Sequence, residues 1–371
     1  MPDAATPAAS RVRVLLVGPS LDILGGQAVQ AKRLFEGLRE SDRVDVGFLA
    51  VNPRLPGPLG LLQRVKFART VVTSFAYVIS LLRAARSYHV IHAFSASYFS
   101  YLLAPLPAMA IGRLFGRATV LNYRSGEARD HLTRWRTTAV PTMRRFATRI
   151  VVPSRYLVDV FGESGLEACS ISNFVPIDEL PYRRRSELAP VFLSNRNLEP
   201  LYNVGCTIRA FAAVQTEYPH ASLTIVGDGA LRRELEGLAG SLALRNVQFI
   251  GRVAPSEMGR LYDAADIYLN SPDIDNMPGS IIEAFACGIP VVTTNAGGIP
   301  YVVTHGRTGL MVERDDARGM ADAALRLLRE PALALDIADM ARAECEARYV
   351  WPAVRRQWEQ LYTDLAESVR T

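Results

Sequence analysis

The sequence predicts an α/β chain built as two doubly wound, Rossmann-like domains, and three observations carry that reading. The chain has 371 residues, against about 100–200 for a single domain. Continuous apolar runs recur along it (VLLVG ending at Gly18, IVVP ending at Pro153, PVV ending at Val292), as in strands of a parallel sheet buried on both faces. Between such runs lie segments long enough for crossover helices. Hydrophobic residues make up 49% and charged residues 21%, which excludes a disordered regulator or a collagen-like chain.

Taken in order, the strand candidates of the first half are 12–18, 44–50, 90–94, 118–123, 150–153 and 169–173. Those of the second half are 191–195, 222–226, 247–250, 266–270, 290–294 and 308–312. Helical patterns at 27–39, 207–216 and 231–242 separate some of them. Residues 1–175 then form one domain, and 191–350 the other, with a final helix at 351–371. The stretch 176–190 has three prolines and Arg183-Arg184-Arg185, and reads as the linker. The four cysteines (Cys169, Cys206, Cys287, Cys345) form no C-x-x-C pair, so free thiols in a reducing compartment are expected. No apolar stretch precedes Val12, so a secretory signal is not expected and a cytoplasmic location is.

Charge is distributed unevenly. Residues 1–185 hold 25 Lys/Arg and 13 Asp/Glu, and residues 186–371 hold 17 and 24. Between Asp45 and Glu127 no acidic residue occurs, while nine basic ones do. This implies an anionic partner for the first half: a phosphorylated substrate, a membrane surface or nucleic acid. Nucleic acid is the least favoured, since no recognised module or aromatic–basic interleaving accompanies the arginines. The segment 59–86 suits an interfacial helix with inserted Leu, Val and Phe, or equally a helix covering the sheet. Neither it nor 90–112, which contains Pro105 and Pro107, reads as a span.

Two glycine turns follow strands. Gly18, then Gly25-Gly26 opening a helix, reads equally as a phosphate cradle, since free N–H groups and the helix dipole favour an anion there, or as a tight turn with no ligand. Its spacing fits neither a dinucleotide fingerprint nor a Walker loop. Gly227-Asp228-Gly229 reads by default as a plain strand-to-helix turn. The most informative stretch is 270–295, NSPDIDNMPGSIIEAFACGIPVVTTN. A loop with Asp273 and Asp275 leads through Asn276-Met277-Pro278 to a helix opened by Gly279 and Ser280, with Glu283 one turn inside and Gly288 at its end. Sugar hydroxyls take carboxylate acceptors and a diphosphate takes a helix N-terminus, so a nucleotide sugar fits both. Asp275 as a helix cap, with Glu283 merely solvated, is the plainer alternative.

This stretch resembles the E-x7-E signature of glycosyltransferase family 4, retaining enzymes of the GT-B fold. EAFACGIPVVTTNAGGIPYVV is similar to that family's following segment, as are Asn195-Arg196-Asn197-Leu198, Ile225–Gly229, Phe249-Ile250-Gly251-Arg252 and Leu261-Tyr262-Asp263-Ala264-Ala265-Asp266. The resemblance implies two domains facing across a cleft, the first binding acceptor and the second donor, with the last helix crossing back to the first. It implies Glu283 on the donor ribose, Arg196 on the diphosphate, and Asp275 facing the sugar. Asn276, Met277, Gly279, Ser280 and Gly227 would line the donor site, with Gly25-Gly26 closing on it. Arg124 stands where many members have a His near the transferred sugar. Other departures are Asp275 for the first Glu, Pro278 for Gly, Tyr202-Asn203 for a K-G pair and Tyr301 for Glu.

The activity implied is transfer of a hexose-type sugar from a nucleoside-diphosphate sugar, such as a UDP-sugar, to a lipid-linked or polysaccharide acceptor of the cell envelope. Peripheral membrane contact would run through the basic half. Asp273 and Asp275 could bind a divalent ion, but the family generally works without one, and no metal or other cofactor is expected. A sugar-nucleotide epimerase on the same fold and a non-catalytic nucleotide-sugar binder are the competing readings.

Overall fold

The computed structural model describes residues 11–22, 26–53 and 65–370. The chain divides into two compact units. The first runs to Pro153, takes in Val158–Ile171, and regains the chain from Val354; the second holds Ser154–Leu157 and Ser172–Ala353.

The first unit contains β1 (Val12–Gly18), α1 (Gly26–Arg39), β2 (Val44–Ala50), α2 (Lys66–Ala84), β3 (Val90–Ser95), α3 (Phe99–Leu103), α4 (Pro105–Leu114), β4 (Ala118–Tyr123), α5 (Ala128–Arg134), α6 (Arg136–Phe146), β5 (Arg149–Val152), α7 (Arg155–Glu163, whose first turn lies in the second unit) and β6 (Cys169–Ser170). Its sheet has the order β2-β1-β3-β4-β5-β6 and every pairing is parallel. All six residues of β3 and of β4 are buried, as in strands of a parallel sheet covered on both faces. The last expected strand of this half is cut to two residues. Beyond it the Asn173 amide turns to another partner, its Nδ2 donating to the Met277 carbonyl at 2.9 Å.

The second unit contains β7 (Val191–Asn195), α8 (Val204–Glu217), β8 (Ser222–Val226), α9 (Arg232–Ser241), β9 (Val247–Gly251), α10 (Pro255–Ala264), β10 (Ile267–Asn270), α11 (Gly279–Ala286), β11 (Val291–Thr294), β12 (Leu310–Val312), α12 (Ala317–Arg329) and α13 (Pro331–Arg348). Its order is β12-β11-β10-β7-β8-β9, again all parallel. The chain starts in the middle at β7, winds outward through β8 and β9, then returns to the other side of β7 with β10. That reversal opens a crevice at the carboxyl ends of β7 and β10, where ligands of such sheets bind.

The last helix, α14 (Trp351–Arg370), packs with the first unit from Val354 onward. Ser41 Oγ donates to Glu359 Oε1 at 2.6 Å. Buried His92 faces Tyr362 Oη at 2.7 Å and accepts from Asn122 Nδ2 at 3.0 Å. Arg124 Nη1 donates to Asn122 Oδ1, which fixes the amide orientation and leaves His92 as the neutral tautomer protonated on Nδ1. Burial, aided by the Arg124 charge, lowers its pKa to about 3.

The 176–190 stretch is not a loose tether. Arg185 is 2% exposed and donates to the carbonyls of Tyr262, Ala265, Cys287 and Gly288 at 2.7–3.1 Å. Those oxygens end α10 and α11, where a cation meets the negative pole of each helix. Asp266 completes the knot, paired with both Arg183 and Arg185. These arginines are therefore spent inside the second unit and offer little to an external anion. Arg185→Ala should cost about 3 kcal/mol of stability by leaving buried acceptors and Asp266 short of partners. A chemical-denaturation curve checks this; an unchanged midpoint would show the strap to be dispensable.

Candidate functional site

The site is built from the carboxyl ends of β7 and β10. Arg196 is the first residue beyond β7, its backbone N–H donating to Val226 O at 3.0 Å. The glycine turn after β8 lies directly on this backbone. A Cβ on Gly227 (φ +132°) would stand 2.1 Å from the Arg196 carbonyl, and one on Gly229 2.4 Å from that of Leu198. Gly227 thus places Arg196, a task its own backbone conformation reserves for glycine.

Beyond β10 the loop Ser271–Pro278 is pinned from both sides. Thr294 Oγ1 donates to Pro272 O at 2.6 Å, and Ser271 Oγ to Asn203 O at 2.7 Å. Gly298 N donates to Asp275 O at 3.0 Å. Side chains on Gly297 (φ +51°) and Gly298 would collide with the carbonyls of Asp275 and Asn276, at 2.2 and 1.9 Å. Asn276 accepts from Ser154 Oγ, and Met277 is buried in the core with its carbonyl taken by Asn173. Both side chains serve to hold the loop.

Helix α11 then begins at Gly279, with Pro278 as its cap and no side-chain capping bond, so Asp275 is not the cap. A Cβ on Gly279 would meet nothing within 4 Å, so this glycine leaves the helix N-terminus open instead of relieving a clash. Glu283 is not a solvated surface residue either. It is half-buried and accepts from Tyr262 Oη at 3.0 Å. Tyr262, wholly buried, also receives Asn195 Nδ2 at 3.3 Å; burial first, then the Glu283 charge, pushes its phenol well above the ordinary value. Its proton therefore stays in place to orient the carboxylate.

The guanidinium of Arg196 and the carboxylate of Asp275 form an ion pair, with side chains 11% and 12% exposed. The Tyr202 ring lies 4.4 Å from Arg196 Cζ, a stacked cation, and Arg196 Nη1 reaches Ser280 Oγ at 3.4 Å. Its Nε donor meets no acceptor. Asn203, in the left-handed region (φ 39°), caps α8 by accepting from Cys206 N and donates to Asp273 at 3.3 Å. Thus Arg196, Asp275, Ser280 and Glu283 converge on one helix start. Among the described residues no group of three or more His, Cys, Asp or Glu could hold a metal ion.

The remaining expected residues belong to the first unit. Gly26 opens α1 and is exposed, and a Cβ there would meet nothing within 4 Å; Gly25 lies outside the described residues. Arg124 follows β4, its Cζ 5.9 Å from the Phe94 ring, and burial draws its pKa down to about 10. It remains a cation at neutral pH. Sequence reasoning did not give Tyr262 or Tyr202 a role, although LYDAAD and the residues after Arg196 held the signal.

Comparisons with known proteins bear on this geometry. Residues 189–330, the segment that builds the second-unit site, match the family described as Glycosyl transferases group 1. The chain is 29% identical over 208 residues to the N-acetyl-alpha-D-glucosaminyl L-malate synthase of Bacillus anthracis, 53% of each chain. It is 30% identical over 198 residues, 51% of each, to a GDP-mannose-dependent monoacylated alpha-(1-6)-phosphatidylinositol monomannoside mannosyltransferase of Corynebacterium glutamicum. The chain thus spans about half the length of these curated relatives. In fold it is similar to Anabaena HepE in complex with UDP, at a TM-score of 0.75 and 20% identity, covering 95% of this chain and 100% of that one. The same protein with UDP-glucose gives 0.73, at 20% identity and 97% and 100% coverage. The two six-stranded parallel sheets with their helices are the GT-B fold.

Gly279→Val tests the open helix start. With no neighbour to strike, it should leave the melting temperature within a few degrees of wild type, while blocking an anion from the α11 amides. Loss of nucleotide binding in a folded variant is expected; undiminished binding would move the ligand elsewhere.

Proposed function

We propose that the protein is a retaining glycosyltransferase that moves a hexose-type sugar from a nucleoside-diphosphate sugar to an acceptor hydroxyl. The observation that carries this reading is the convergence of Glu283, Arg196 and the open N-terminus of α11 at the strand-order reversal of the second sheet. Glu283, oriented by Tyr262, accepts the two ribose hydroxyls. The α11 amides and Arg196 receive the diphosphate. UDP and UDP-glucose are bound by Anabaena HepE, which supports a nucleotide-sugar donor.

Chemistry of this kind needs positioning and charge stabilisation more than a protein nucleophile. The bond from the sugar's anomeric carbon to the diphosphate breaks, and the acceptor oxygen bonds that carbon on the same face. The acceptor proton passes to the departing diphosphate, whose charge Arg196 and the helix start stabilise. No cofactor enters this scheme. A screen of UDP-, GDP- and ADP-sugars, by thermal shift and then by product analysis with acceptor, tests it. Stabilisation by one donor, release of free nucleoside diphosphate only when acceptor is present, and retained anomeric configuration are expected. Glu283→Ala should fold and lose at least about tenfold in donor affinity, near the loss of one charged hydrogen bond. An interconverted nucleotide sugar would mean an epimerase, and binding without turnover a non-catalytic relative.

The acceptor in this reading is a lipid-linked or envelope polysaccharide glycan reached from the cytoplasmic membrane face. The support is a surface of the first unit. Helix α2 buries Tyr77 and Leu81 against Leu15, Val17, Ile91 and Ala93, so it does cover the sheet. Its other side leaves Val71, Phe75 and Leu82 exposed, at 69%, 68% and 38%. These fall at helical spacing on one stripe, and Arg69 and Arg83 on the same helix, with Arg86 just after it, are exposed. Leu114 is 74% exposed at the end of α4, next to Phe115, whose ring lies 4.9 Å from the Arg86 guanidinium carbon. Among the described residues no helix is long and apolar enough to cross a membrane. Each basic residue near an anionic leaflet contributes about 1 kcal/mol at best. Co-sedimentation should therefore occur with anionic vesicles, fall in high salt, and weaken in Phe75→Ser. Absence of sedimentation under every condition would leave the arginines to a water-soluble acceptor.

A further inference from the structure

Resting on the donor site just described, we propose that Asp275 acts as a built-in counter-anion for Arg196: it competes with the donor diphosphate for the guanidinium, yields it to the donor, and reclaims it as the product nucleoside diphosphate leaves.

The pairing is direct and nearly dry, since both side chains are about nine-tenths covered. It is also incomplete. The contact is between one Arg196 Nη2 and one Asp275 Oδ2, neither of which is in a well-directed hydrogen bond, and Arg196 Nε has no acceptor at all. A buried guanidinium with unused donors is costly. A diphosphate, presenting several oxygens, fills the fork better than a single carboxylate oxygen does.

Two features hold the pair in this state. The Asp275 backbone is fixed by Gly298 N and by the close approach of Gly297, while its Oδ1 accepts from Asn276 N at 2.7 Å. The Tyr202 ring fixes the other partner by stacking on Arg196. Tyr202 also supplies no second positive charge. With Asp275 held against Arg196, an arriving diphosphate meets a cation that is already neutralised.

The consequence separates donor from product. An intact donor brings sugar hydroxyls that can donate hydrogen bonds to Asp275 when it lets go of Arg196. A bare nucleoside diphosphate brings none, so it must expel a carboxylate that then lies buried beside a phosphate of like charge. Asp275 therefore weakens product more than donor and favours turnover. It is a positioning residue in this respect, acting on substrate charge through Arg196.

The test is calorimetry with UDP, GDP and ADP, and with the corresponding nucleotide sugars, on wild type and Asp275→Asn. The amide keeps an oxygen for the Asn276 N–H, and Asp275→Ala, with melting curves for both, guards against a folding defect. Asp275→Asn should bind the nucleoside diphosphate at least about tenfold more tightly, the size of a close charge coupling, gain less for the nucleotide sugar, and turn over more slowly. A structural lesion does not tighten a ligand. Unchanged or weaker diphosphate binding in a folded variant overturns the proposal while the donor site stands. No binding of any nucleotide or nucleotide sugar by wild type overturns the donor site itself.

Discussion

The reversal of strand order between β7 and β10 is the constraint on which the second unit depends. Because the chain enters this sheet at its middle and winds outward in both directions, the loops after β7 and β10 diverge to opposite faces and cannot cover one another. The space left between them is where Arg196 and the start of α11 meet. Everything nearby works to keep that edge rigid. The glycines after β8 and β11 let neighbouring backbone lie directly against the two loops, and Tyr262 ties β7, α10 and α11 together through a single hydroxyl. A site placed on strand ends and braced this way holds geometry better than one carried by free loops.

Much of this architecture was legible because parallel strands buried on both faces leave unbroken apolar runs. β1, β5 and β11 lie where those runs are. β6 was overread, since nothing local in 169–173 shows that Asn173 turns to Met277, 104 residues away in sequence. Glu283 could be found from its spacing to a glycine-opened helix. Its contact with Tyr262 could not, because the tyrosine's burial comes from packing of separate segments. The Arg196–Asp275 pair joins residues whose order along the chain suggests two different ligand contacts, and only their folding together shows that each is occupied by the other.

Charge was the most misleading signal where it was most concentrated. Arg183-Arg184-Arg185 looks like a basic linker, yet Arg185 is wholly enclosed by the carbonyls ending α10 and α11, and Arg184 pairs with Asp339. The acid-free window of the first half behaves otherwise: its arginines on α2 remain exposed, on a helix that also carries an exposed apolar stripe. Composition alone does not separate a cation that satisfies helix ends from one that faces outward; burial does.

The proposed seat of the donor nucleotide is tested by a crystal structure of the protein with a nucleoside diphosphate bound. Ribose hydroxyls on Glu283, diphosphate oxygens at the Gly279 and Ser280 amides, and an Arg196 guanidinium turned from Asp275 to phosphate are expected. A nucleotide bound elsewhere, with the Arg196–Asp275 pair undisturbed, would contradict it.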